Sequence, residues 1–77
     1  MVWVVDDDPE LRKMVGTYLL DQGYDVRCLC DVKQLEARLE IQRPDLLVLD
    51  LMMPGDDGLT ALRRLRDAGD DLPVVML

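Results

Sequence analysis

The sequence predicts a three-layer α/β domain, an open parallel sheet with helices on both faces. Three observations predict it. Apolar residues switch between short continuous runs and helical spacing in the order β-α-β-α-β-α-β. Several strand-like runs are apolar throughout, as strands covered on both faces are. The connections are short, and parallel strands joined through helices need right-handed crossovers that place those helices on the sheet faces.

Each element follows from its residues. The run VWVV at 2–5 is a continuous apolar strand. Asp8 can cap a helix with Pro9 at its first position. Leu11, Met14, Val15, Tyr18 and Leu19 then recur at helical spacing over 9–22. Gly16 inside that helix costs about 1 kcal/mol, which points to close packing there, and Gly23 stops the helix. Residues 24–29, YDVRCL, alternate as a half-exposed strand does. Asp31 and Gln34 have capping-box spacing, and Leu35 and Leu39 mark a second helix that ends before Pro44. LLVLD at 46–50 is another buried strand. Asp57 opens a third helix carrying Leu59, Leu62 and Leu65, closed by Gly69. LPVVML at 72–77 is a fourth apolar strand.

Composition narrows the function classes. With 77 residues the chain makes one domain at most, and small domains bury too little surface to be very stable without staples. Cys28 and Cys30 lie on one face of a strand, about 7 Å apart along it, which is too far for a comfortable disulfide. With no histidine, a zinc site is not expected. The two cysteines read as small apolar side chains in a reducing compartment. A net charge of -7 makes nucleic acid a poor partner for these residues. No long apolar run and no leader pattern is present, so the expectation is a soluble, cytoplasmic domain with no membrane contact.

The chemistry is expected beyond the carboxyl ends of the strands, where open α/β sheets bind ligands. Asp6 and Asp7 follow the first strand and Asp50 ends the third. If those strands are neighbours, the three carboxylates converge. Two such charges about 5 Å apart repel by about 3 kcal/mol at an effective dielectric of 20. A protonated carboxyl or a hard divalent cation would offset that, and Mg2+ needs few carboxylates because it keeps several waters. Pro54 and Gly55 then turn the following loop away from Asp50.

At this point VVDDDPELRKMVGTYLLDQGYDV, followed by Asp50 in PDLLVLDLMMPGDDGL and then LPVVML, resembles the CheY-like receiver domain of bacterial two-component response regulators over the whole chain. That resemblance implies a flavodoxin-like fold with five strands in the order 2-1-3-4-5. It implies that Asp50 is the phosphoacceptor, taking a phosphoryl group from a sensor histidine kinase, and that the domain signals without being classed as an enzyme. Asp6 and Asp7 are then the acidic pair for Mg2+ (or Mn2+), with Asp7, Asp50 and the backbone carbonyl of Met52 as direct ligands and Asp6 acting mainly through water. The strand-one and Met-Met-Pro-Gly segments look most like receivers that carry a winged-helix DNA-binding output domain. On that basis the helix at 9–22 is a docking surface for the kinase, with Arg12 and Lys13 as contacts.

Two family features lie outside this pattern. A hydroxyl residue ends the fourth strand in the family and a lysine ends the fifth, whereas Lys13 and Lys33 are the only lysines here and neither follows a strand. Residues 1–77 therefore look like the N-terminal two-thirds of a receiver, lacking strand five, the last two helices and any output domain. From this we expect an exposed fourth-strand edge that invites self-association, and weak phosphorylation of the segment alone.

Other classes fit less well. Asp6 and Asp8 resemble the Asp-x-Asp of haloacid-dehalogenase-like phosphatases, but Pro9 and Glu10 follow where that family has other residues. Residues 50–55 have the spacing of the cobalamin motif Asp-x-His-x-x-Gly, yet Met52 stands at the histidine position. A receiver used only as an interaction module would have lost one of its acids, and all three are present.

Overall fold

The computed structural model describes residues 1–51 and 58–77. Within them the chain forms β1 (Val2–Val5), α1 (Pro9–Asp21), β2 (Val26–Leu29), α2 (Val32–Leu39), β3 (Leu46–Leu49), α3 (Gly58–Asp67) and β4 (Val74–Met76). All pairings are parallel and the strand order is β2-β1-β3-β4. Crossover connections place β1 and β3 side by side at the centre, which is the adjacency that the acidic cluster required.

The period-two alternation of the strands divides the core. Trp3, Val5, Leu29, Leu47 and Leu49 face α2 and α3, where they meet Val32, Leu35 and Ala61. Val2, Val4 and Val48 pack with Val15 and Leu19 of α1. Trp3 is fully buried, and its indole N–H reaches the Met1 sulfur at 3.0 Å. Truncating a buried aromatic of this kind costs about 3–5 kcal/mol.

The caps form largely as their residues dictate. The Asp8 carboxylate accepts from the Glu10 and Leu11 amides, with Pro9 first in the helix. Asp31 accepts from the Gln34 amide at 2.8 Å, and the Gln34 side chain reaches back to the Cys30 amide at 3.1 Å. The return bond thus lands one residue earlier than in a standard capping box.

Several boundaries and faces differ from expectation. Met14 and Tyr18 are not on the buried face of α1, both being 63% exposed. The helix instead approaches the sheet through Val15, Gly16 and Leu19, and a Cβ on Gly16 would lie 3.1 Å from the Cys28 sulfur. That close approach narrows the buried stripe. Strand two starts at Val26, because the Tyr24 amide still serves the end of α1 by donating to the Leu19 carbonyl. Gly23, at φ +91°, makes the turn between them. Both cysteines are free, and Cys28 is exposed. Strand four is shorter than LPVVML, although the Leu47 amide donates to the Pro73 carbonyl and the Leu77 amide to that of Leu49. Among the described residues, no helix is long and apolar enough to cross a membrane.

Candidate functional site

The ladder hydrogen bonds run one step past the strands and fix the acidic residues. The Asp6 amide donates to the Leu29 carbonyl at 3.2 Å, and the Asp50 amide donates to the Val5 carbonyl at 3.0 Å. Val5 and Leu49 are register partners, so Asp6 and Asp50 leave adjacent strands at the same level. Asp7 is the next residue after Asp6. One oxygen from each of Asp6, Asp7 and Asp50 can be chosen so that all lie within 4.8 Å of one another. At that separation each ionised pair repels by about 3 kcal/mol at an effective dielectric of 20.

The three acids differ in environment. Asp6 is fully buried, Asp7 is exposed and Asp50 lies between them. Asp6 Oδ1 accepts from the Asp8 amide at 2.9 Å, whereas Oδ2 is buried and receives no hydrogen bond from the described residues. Burial is the main cause that holds the Asp6 carboxyl above the usual carboxylate range. Its proximity to Asp50 and Asp7 adds to this, and the Asp8 amide works against it. An oxygen-only cluster with one buried, unsatisfied oxygen has the donor chemistry that hard divalent cations take.

Two contacts support the cluster. The Arg12 guanidinium donates to the Asp6 carbonyl at 2.8 Å and so ties α1 to the loop after β1. At the other side, a Cβ on Gly58 would lie 2.1 Å from the Asp50 carbonyl oxygen. The first residue of α3 therefore packs backbone to backbone against the residue that carries the acid, and only glycine fits.

The sequence-derived site residues are distributed as follows. Asp6, Asp7 and Asp50 come together, and Lys13 is exposed on α1. Arg12 is half-buried, with its guanidinium engaged on Asp6. Met52, the Pro54–Gly55 turn and the Asp57 helix start lie outside the described residues. Sequence reasoning missed the grip of Arg12 on Asp6 and the contact of Gly58 with Asp50. A glycine at the start of a helix was a visible signal for the second, while nothing in the spacing marked the first.

Comparison with known proteins agrees with this geometry. The family model for the response regulator receiver domain matches residues 2–77. Response regulator MprA of Mycobacterium avium is 43% identical over 76 residues, which cover 99% of this chain and 33% of that protein. The chain thus spans about a third of the length of the curated relatives it matches. Among solved structures, the receiver domain of the Francisella response regulator 1452 superposes with a TM-score of 0.91 at 31% identity, over 97% of this chain and 62% of that one. The receiver domain of NtrX from Brucella abortus gives 0.91 at 33% identity, over 99% and 65%. The sheet order, the acids at adjacent strand ends and these matches lead to one conclusion: the chain has the flavodoxin-like, CheY-like fold and belongs to the family of response regulator receiver domains, a signalling and not an enzyme class.

Proposed function

We propose that Asp50 accepts a phosphoryl group from the phosphohistidine of a sensor histidine kinase, and that residues 1–77 are the N-terminal two-thirds of the receiver that does so. The observation that carries this reading is the convergence of Asp6, Asp7 and Asp50 beyond adjacent central strands. An Asp50 carboxylate oxygen attacks phosphorus in line, the new O–P bond forms as the P–N bond to histidine breaks, and the imidazole leaves with the electron pair. Asp7, Asp50 and the Met52 carbonyl would hold Mg2+ (or Mn2+), with Asp6 orienting its water. When bound, the cation neutralises charge on the phosphoryl oxygens.

The chain's own residues do the positioning. The bond to Val5 fixes the Asp50 backbone, Gly58 backs it, and Arg12 holds the Asp6 carbonyl. The exposed Lys13 and its neighbours on α1 form the docking face for the kinase, with Arg12 contributing through its hold on the loop. Phosphorylation then switches a winged-helix, DNA-binding output domain in the cytoplasm, while residues 1–77 touch no nucleic acid themselves.

The open edge of β4, where Val75, Met76 and Leu77 are 47–52% exposed, takes a further strand from the same polypeptide or from a second copy. Light scattering across a concentration series distinguishes these: growth in mass supports self-association, and a constant monomer mass assigns the edge to the same polypeptide. The phosphoacceptor role is tested by incubating the intact protein with the purified kinase, ATP and Mg2+. Transfer of label that is lost in Asp50→Asn and in EDTA supports the reading. Label retained in Asp50→Asn would sink it.

A further inference from the structure

The other edge of the sheet carries a groove that the acidic centre does not use. It lies between β2 and α2 and has a volume of about 390 Å³. Its apolar lining comes from Leu29, Ala37 and Ile41, and Ile41 is 77% exposed. Its cationic lining is Arg27 and Arg38. Arg12, Arg43, Arg64 and Arg66 each donate to an acceptor. Among the described residues the Arg27 and Arg38 side chains make no hydrogen bond or ion pair, and the Arg27 Nε is buried with no hydrogen-bond partner. A buried cationic N–H without an acceptor is costly. In a chain with 16 acidic and 9 basic residues, these two arginines line one groove.

The backbone beside that groove is also open. Strand β2 is the first strand in the order β2-β1-β3-β4, so one side of it has no neighbour. The Val2 amide donates to the Asp25 carbonyl and the Asp6 amide to that of Leu29. In a parallel ladder the groups of alternate residues face the same neighbour. The amides and carbonyls of Val26 and Cys28 therefore point away from β1, over the open edge. The next outward amide, Cys30, is already closed off by the Gln34 side chain at 3.1 Å. The edge is short, with one capped end, and runs beside a groove that is apolar and cationic on the same face.

We propose that this edge and groove dock an extended segment of a partner polypeptide, which adds to β2 as an outer strand. The chemistry selects its side chains. Residues two apart in the added strand share a face, so the segment carries an apolar residue for Leu29, Ala37 and Ile41 and, two positions away, a carboxylate for Arg27 and Arg38. A second copy of β2 is the poorer occupant. Symmetric pairing about Arg27 would set like charges opposite each other, which is destabilising.

The test is a titration of the intact, isotopically labelled protein by amide-resolved NMR. The probe is the capped peptide acetyl-Thr-Leu-Thr-Asp-Thr-amide, with threonines for the outer face. Two controls accompany it, one with Asn in place of Asp and one N-methylated along its backbone. Binding centred on the Val26 and Cys28 amides is expected. A loss of affinity of about tenfold or more should follow with the Asn peptide and with Arg27→Gln or Arg38→Glu, as for loss of a charged hydrogen bond, and the N-methylated peptide should not bind. Equal binding of the N-methylated peptide would overturn strand addition, and equal binding of the Asn peptide would overturn the role of the arginines. No shifts in a well-dispersed spectrum at millimolar peptide would overturn the site. Concentration-dependent shifts of the same amides without peptide would assign the edge to a second copy and overturn the heterologous partner.

Discussion

At the amino end of the sheet, Asp45 pairs with the Met1 ammonium, and Asp70 holds Arg43 through two hydrogen bonds of 2.6 and 2.7 Å. At the carboxyl end, Asp6, Asp7 and Asp50 gather their carboxylates instead, and the Arg12 guanidinium binds the Asp6 backbone carbonyl. The two ends respond to charge in opposite directions. The Arg43 guanidinium holds the Asp70 carboxyl below its ordinary range, whereas burial lifts that of Asp6 above it. The like charges gathered at the carboxyl end are consistent with a divalent-cation site of the receiver type, whereas the opposite charges at the amino end tie separate segments of the chain together. The same contrast separates residues that secure the chain from those that work against its stability.

The contrast can be broken most severely at Gly58. A Cβ there must push the Asp50 carbonyl or the start of α3 away, so Gly58→Ala should cost about 1–3 kcal/mol, as overpacking does. It should also abolish Mg2+ binding in a calorimetric titration. Unchanged urea unfolding and unchanged metal affinity would mean that the backbone contact is not needed.

Next in size is Asp6→Asn. Without divalent ions it should raise the melting temperature at neutral pH, by about 4–8 °C for each kcal/mol of repulsion and desolvation removed, while weakening Mg2+ binding. A melting temperature that falls instead would place Asp6 among the stabilising groups.

The two ends also depend on pH in opposite ways. Asp6 has a raised value in the folded state, so its contribution is fully present below the ordinary carboxylate range and is lost as pH rises through the raised value. Asp70 has a lowered one, so its contribution is present above the ordinary range and is lost as pH falls through the lowered value. In EDTA, Asp6→Asn should therefore flatten the stability profile on the alkaline side of the carboxylate range, and Asp70→Asn on the acid side. Thermal melts across pH read both, and identical profiles for the two variants would erase the distinction.

The smallest effect belongs to Asp70→Asn at neutral pH. Arg43 is half exposed, and exposed ion pairs contribute little. The melting temperature should fall only slightly, with Mg2+ affinity unchanged.

Much of this arrangement was legible in the sequence because it rests on local rules. The continuous apolar runs of β1 and β3, the Asp8 and Asp31 caps and the acids after the strands needed only period, propensity and topology. The misread features depend on tertiary geometry. Met14 and Tyr18 have helical spacing but face outward, because α1 meets the sheet at Gly16 and Cys28 along a narrow stripe. The Tyr24 amide was claimed by the end of α1, which a period-two pattern does not reveal. Arg12 reads as a surface charge on a helix, and only the fold of the β1–α1 loop brings the Asp6 carbonyl within its reach.

We propose the acidic carboxyl end as a metal-assisted phosphoacceptor centre with Asp50 as its nucleophile. Treating the intact protein with a small-molecule phosphodonor, with Mg2+ and separately with EDTA, and mapping the modified residue by mass spectrometry tests it most directly. A phosphoryl group on Asp50 that requires Mg2+ and disappears in Asp50→Asn is the predicted result. Modification at another residue, or at Asp50 with equal yield in EDTA, would contradict it.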